Sequence, residues 1–143
     1  MDRIIRCITS EGALMASAID TSDTVYTAQK LHNLSPTASA ALGRLLTGVS
    51  VMGAMLKQAN ASLTLRVNGG GPAGTLMVVA DNWGNVKCCA GEHQVQLPLR
   101  ADGGLDVNGC VGCDGFLTVV KDMGLKEPYV GQIPLVSGNI AED

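Results

Sequence analysis

The hydrophobic and polar positions of this chain fall into three regimes. Arg3 to Thr9 is rich in β-branched residues and reads as a strand. Ser10-Glu11-Gly12 is a turn, and Ala13 to Ile19 runs back as the second strand of a hairpin. Asp20-Thr21-Ser22-Asp23 then offers several N-cap residues for a helix ending near His32. The strongest helical signal follows. Ser35 is a good N-cap, and Pro36 sits at the first helical position, where its missing N–H costs nothing. Ala38, Ala41, Leu42, Leu45, Val49, Met52 and Met55 or Leu56 recur at three- and four-residue spacing, which predicts one apolar stripe to about Lys57. The opposite side, with Ser39, Gly43, Thr47, Ser50 and Gly53, is small and weakly polar.

From Ser62 onward the period becomes two. Ser62 to Asn68 alternates, Thr75 to Ala80 is a short apolar run, and Asp81 to Asn85 turns into Val86 to Ala90. Gln94 to Leu99 alternates again. After a Gly- and Asp-rich stretch from Ala101 to Gly115, Phe116 to Lys121 and Tyr129 to Val136 form another expected pair. Short strands with tight turns predict antiparallel pairing. The expected class is α+β in one domain, 1–143. A hairpin and two helices, the second (about 36–57) long and buried, precede an antiparallel β-meander packed around them.

Composition narrows the function. Aromatic residues are only 3% of the chain, so the core must come from Val, Leu, Ile, Ala and Met, with six methionines as pliable apolar surface. The net charge is −3 and the basic residues stand singly, which leaves no footprint for nucleic acid. Ala38 to Leu56 carries one charge, Arg44, but six of its residues are Gly, Ser or Thr. That composition disfavours membrane insertion and predicts a helix buried between two layers of a soluble domain. Five cysteines, an odd number, accompany an N-terminus that does not read as a signal peptide. Together these predict free thiols in a reducing cytoplasm.

Gly69, Gly71 and Gly74 make a literal G-x-G-x-x-G, but a strand-like run follows where a dinucleotide fold needs a helix, so a glycine-rich turn is expected. Cys110-Val111-Gly112-Cys113 resembles half a zinc knuckle or a redox pair, with Cys88-Cys89 as the other possible half. Neighbouring residues of a strand point to opposite faces, which argues against Cys88 and Cys89 sharing a metal. Cys7 is expected in the core. His32 and His93 lie in no recognisable catalytic arrangement, and no catalytic residues are expected.

Pro36-Thr37-Ala38-Ser39-Ala40-Ala41-Leu42-Gly43-Arg44 and Gly53-Ala54-Met55-Leu56-Lys57 resemble the central helix of the redox-regulated, thirty-three-kilodalton heat-shock chaperone family. Asn68 to Gly74 resembles that family's glycine-rich turn. Val119 to Leu125 and Gly131 to Gly138 are similar to the segments that follow, in the same order. The resemblance implies a cytoplasmic, ATP-independent holdase that binds unfolding proteins under oxidative stress and is no enzyme. It implies a substrate-binding domain, incomplete against the family's pattern, without the C-terminal linker and zinc module. In the family, zinc is held there by a CxC and a CxxC that match none of the cysteines here, so no cofactor is expected in this chain. Homodimers with exchanged elements are implied as well, and uncovered sheet edges favour pairing. Met52, Met55, Met77 and Met123 are the expected client-binding candidates. The alternative is a thiol-redox or zinc protein acting through Cys110 and Cys113, with Cys88 and Cys89 as further ligands.

Overall fold

The computed structural model describes residues 1–143. A hairpin of β1 (Arg3–Ile8) and β2 (Met15–Asp20) leads into α1 (Ser22–His32) and α2 (Pro36–Ala54). There follow β3 (Ser62–Asn68), β4 (Leu76–Asp81), β5 (Val86–Ala90), α3 (Val107–Val111), β6 (Phe116–Asp122) and β7 (Tyr129–Pro134). The hairpin is a separate two-stranded sheet, and the other strands form one antiparallel sheet in the order β5-β4-β3-β6-β7. The expected α+β class and antiparallel sheet are what the structure shows. No helix is long and apolar enough to cross a membrane.

The helix expected at 36–57 starts as anticipated and ends sooner, at Ala54. Ser35 Oγ accepts from Ala38 N–H and Pro36 occupies the first turn. Leu42, Leu45, Leu46 and Val49 are fully buried against Leu63, Val67, Leu76 and Val78 of the sheet. Burying each leucine contributes about 1.5–3 kcal/mol. The small side of α2 is buried too, because it lets neighbours come close. A Cβ on Gly43 would stand 2.9 Å from a Val25 methyl of α1, and one on Gly53 would stand 2.6 Å from Ala80 Cβ and from Asp81 O of β4.

The sheet is not strung in simple sequence order. After β5 the chain crosses to the far side of β3, so that β6 pairs with β3 and β7 with β6. The crossing is guided by α3, a helical turn within the stretch expected to be loop. Asp106 caps it by accepting from Gly109 N–H, while Val107, Cys110 and Val111 are buried. The glycine-rich turn receives its end: Gly71 N–H donates to Val111 O, Ala73 N–H to Cys110 O, and Asp114 N–H to Gly69 O. A Cβ on Gly69 would lie 2.2 Å from Gly112 O, so no side chain fits there. The G-x-G-x-x-G is thus a packing seam, and no helix starts in it.

Gln94 to Leu99 is a correction to the expected strands. Val95 and Leu97 do pack on the core as the alternation required, but Leu99, of the same parity, is exposed. Their backbone, however, joins no ladder. Val95 N–H donates to Ser35 Oγ at 3.0 Å, and Ser35 Oγ–H donates to Val95 O at 2.8 Å. Pro98 also lacks an N–H for a ladder. The segment is pinned to the start of α2 instead.

Candidate functional site

In the N-terminal hairpin, Ile4, Arg6 and Ile8 face Ile19, Ser17 and Met15 on one side; Ile5 and Cys7 face Ala18 and Ala16 on the other. Both faces are therefore largely apolar, although six-residue strands can bury only one. The root of the ribbon docks. Ile4 and Ile19 share a cavity wall with Ser50 of α2 and with Trp83, Gly84 and Asn85 of the β4–β5 turn. The Arg6 guanidinium donates to Ala54 O, one of the carbonyls that the end of α2 leaves free.

The tip projects. Thr9 closes it, its N–H donating to Leu14 O at 2.9 Å and its hydroxyl accepting from Ala13 N–H and Leu14 N–H. Leu14 is 71% exposed, and Ile5, Ile8 and Met15 are exposed beside it. Cys7, expected in the core, is exposed because this sheet has no second layer over it. Trp83 is 80% exposed at the β4–β5 turn. Asp81 Oδ1 accepts from Trp83 N–H and Asn85 N–H, which fixes that turn and turns the indole outward.

Of the four methionine candidates, Met52 lies on the last turn of α2 and Met55 is the residue that caps its end, 37% and 49% exposed. They sit at the end of the helix that Arg6 reaches. Met77 lies elsewhere. It pairs with Arg66 and Cys89 on the sheet face away from α2, while Leu76 and Val78 point to the core. Met123 is half-buried just beyond β6, at the sheet end where Asp122 pairs with Ser62 and Ser62 with Asp81. Met52, Met55 and Met123 thus share one end of the molecule, and Met77 is separate. Sequence reasoning missed Ile5, Ile8, Leu14, Met15 and Trp83. The signals were present in a ribbon with two apolar faces and in a bulky indole inside an Asp-Asn-Trp-Gly-Asn turn.

The cysteines do not gather. Cys88 is half-buried and Cys89 exposed on the opposite face of β5. Cys110 is buried in α3 and Cys113 exposed beyond it. No three His, Cys, Asp or Glu side chains converge as a metal centre. Burial pushes the thiols of Cys88 and Cys110 up, and the neighbouring Cys89 and Asp106 respectively push them further. The Cys7 thiol donates to Ala16 O across the hairpin at 3.8 Å, and Cys88 Sγ lies 3.8 Å from His32 Nε2. Near it, Asp2 caps α1 from outside the helix: its carboxylate accepts from Asp23 N–H, Thr24 N–H and the Thr24 hydroxyl. These bonds, the hydroxyl's first, hold Asp2 below the usual carboxylate range.

Residues 2–143 match the family model described as Hsp33 protein. The chain is 49% identical over 141 residues to a 33 kDa chaperonin of Alkaliphilus metalliredigens, covering 99% of this chain and 48% of the relative. It is also 49% identical over 142 residues to a 33 kDa chaperonin of Acetivibrio thermocellus, with the same coverage. The crystal structure of a 33 kDa chaperonin from Thermotoga maritima, described as a heat shock protein 33 homolog, superposes with a TM-score of 0.91 at 35% identity. It covers 98% of this chain and 48% of that one. The chain spans about half the length of the relatives it matches. With nearly every residue matched by the family model and the same fold in a solved relative, the chain belongs to the Hsp33 family.

Proposed function

We propose that this chain is the client-binding part of a redox-regulated, ATP-independent holdase, which captures exposed apolar segments of unfolding proteins under oxidative stress. The observation that carries the reading is the projecting hairpin, apolar on both faces, beside Met52, Met55 and Trp83. Fully covering one such side chain contributes about 1.5–3 kcal/mol. Association itself costs about 4–15 kcal/mol. Covering a few side chains therefore gives weak binding that tolerates many sequences, which suits a holdase. Flexible methionines add tolerance. No catalytic step is part of this reading.

The redox control is assigned to a zinc-binding cysteine module that corresponds to none of the five cysteines in these residues. A reducing cytoplasm suits their free thiols. A homodimer with exchanged elements is part of the same proposal. The edge strand β7 supports it, with Tyr129, Val130 and Ile133 exposed on a strand that has one free side.

The test is light scattering from a heat-unfolding client with the chain added, both reduced and after peroxide. Suppression in both conditions supports client binding by these residues alone. Suppression only after peroxide moves the control to the cysteines present here, and no suppression in either overturns the reading. Ile8→Ser combined with Leu14→Ser and Met15→Ser tests the location. Suppression is expected to fall several-fold while the melting temperature stays put, because the three side chains are already in water.

A further inference from the structure

The hairpin has two edges as well as two faces, and its register fixes which backbone groups they present. Thr9 N–H donates to Leu14 O, so these two are a hydrogen-bonded pair. Antiparallel alternation then makes Cys7 with Ala16, Ile5 with Ala18 and Arg3 with Asp20 the other bonded pairs. The N–H and C=O groups of Ile4, Arg6 and Ile8 on β1, and of Met15, Ser17 and Ile19 on β2, therefore point outward along the edges. None joins a further strand, because β1 and β2 form a sheet of their own. None bonds to a turn, loop or cap elsewhere in the chain either. Of the two strands β2 lies nearer to α2, so the open edge is that of β1. Ile4 and Arg6 look onto a cavity of about 460 Å³ whose wall also holds Ala54, Asn82 and the exposed Trp83.

We propose that the outer edge of β1 holds clients by strand addition: an extended, apolar segment of an unfolding protein pairs with Ile4, Arg6 and Ile8 as a third strand. Strand addition rests on the client-binding reading and says how that surface works. A two-stranded ribbon is marginal in water, and a third strand is what it lacks. Free groups at every second residue match the backbone of any extended chain, so these bonds ask nothing of the client's sequence. Folded proteins keep such groups paired, and unfolding releases them. Side chains add to the grip on both faces. Ile4 and Ile8 lie on one and Ile5 and Cys7 on the other, so apolar residues of a client find cross-strand partners whichever face they take. Charge argues against a second copy as the occupant. Two β1 strands paired antiparallel through all three residues set Ile4 opposite Ile8 and Arg6 opposite Arg6, and like charges directly opposite are destabilising. The same arginine favours client segments with neutral or acidic residues over basic ones.

The test compares Arg6→Pro with Arg6→Ala by fluorescence anisotropy, using a fluorescein-labelled peptide of alternating valine and threonine that ends in aspartates. Both variants lose the guanidinium. Only proline removes the outward N–H, and an edge position tolerates it because that N–H takes no part in the β1–β2 ladder. Arg6→Pro is expected to bind the peptide about 5-fold or more weaker than Arg6→Ala, whereas Ser17→Pro, on the edge of β2, should match Ser17→Ala. Residue-resolved hydrogen exchange on the native chain needs no variant to fold. The peptide should slow the Ile4, Arg6 and Ile8 amides by about 10-fold or more and leave those of Met15, Ser17 and Ile19 unchanged. Equal affinity in the proline and alanine variants, or β1 amides that are not slowed, overturns strand addition; client scattering that is still suppressed leaves client capture standing. Protection of the β1 amides without peptide, growing with protein concentration, means that a second copy fills the edge and overturns it too. No suppression of client scattering at all overturns both readings.

Discussion

Replacing Ser35 with alanine removes one oxygen that serves two separate jobs. It caps α2 by accepting from Ala38 N–H, and it exchanges two hydrogen bonds with the backbone of Val95. Ser35 is 3% exposed, so water cannot easily take its place. Loss of the cap costs about 1 kcal/mol. An unpaired buried backbone group costs about 1–3 kcal/mol, and Ser35→Ala leaves both the N–H and the C=O of Val95 in that state. Some relaxation of the 94–99 segment is expected, which leaves a net loss of about 2–4 kcal/mol. At about 2–4 °C per kcal/mol for a chain near this size, melting should fall by about 5–15 °C. Urea titration followed by far-ultraviolet circular dichroism is the assay, because Trp83 is exposed when folded and reports little. Ser35→Gly separates the two jobs, since glycine caps almost as well as serine. If the Val95 bonds dominate, Gly and Ala cost nearly the same. A loss below about 0.5 kcal/mol for Ser35→Ala would falsify the claim that Val95 depends on this hydroxyl.

Two glycines of α2 should respond with opposite signs. Gly53→Ala presses a methyl on Ala80 Cβ and Asp81 O, and overpacking of about 1–3 kcal/mol outweighs a helix-propensity gain of up to about 1 kcal/mol. Gly48→Ala meets nothing within 4 Å and should stabilise by up to about 1 kcal/mol, so urea midpoints that move in the same direction refute the packing argument. Asp2 is held below the usual carboxylate range, so its contribution is present above the unfolded value near pH 3.9 and is lost as pH falls through the folded one. Asp2→Ala should flatten acid unfolding in that window and speed hydrogen exchange at the Asp23 and Thr24 amides; unchanged exchange there means that Asp2 is no cap. Cys110 is shifted the other way by burial. Its contribution is present below the unfolded thiol value near pH 8.5 and is lost as pH rises through the folded one, so Cys110→Ala should make alkaline unfolding shallower when melting is followed from about pH 8 upward.

The elements that announced themselves were those whose signals are local. Ser35 and Pro36 marked the start of α2, and three- and four-residue spacing marked its core face. Alternation from Ser62 to Asn68 chose Leu63, Leu65 and Val67 as the buried side of β3. The glycine-rich stretch was recognisable as a turn because no helix could follow it. The same local signals failed at 94–99, where the alternation was right about Val95 and Leu97, wrong about the exposed Leu99 and silent about the partner. A backbone that bonds to a serine sixty residues away leaves no trace in its own period. The helical turn at Val107–Val111 was hidden by length, since a single turn is too short for periodicity to register.

For the candidate surface the division is similar. That the chain carries spare apolar residues was evident from its methionines and from a ribbon with two hydrophobic faces. Which of them stay in water is a matter of what else packs against them. Met52 and Met55 were chosen as part of a stripe whose other members are buried, yet both stay exposed at its end. Met77 was grouped with them, yet β4 directs it to the far face. Cys88 and His32 meet from a strand and a helix end, fifty-six positions apart. Periodicity and capping act over one or two turns of chain and could set the class, the long helix and the strand faces. Which residues meet, and which are left uncovered, depended on the β3–β6 crossing and the docking of the hairpin on α2, where free energy comes from neighbours distant in sequence.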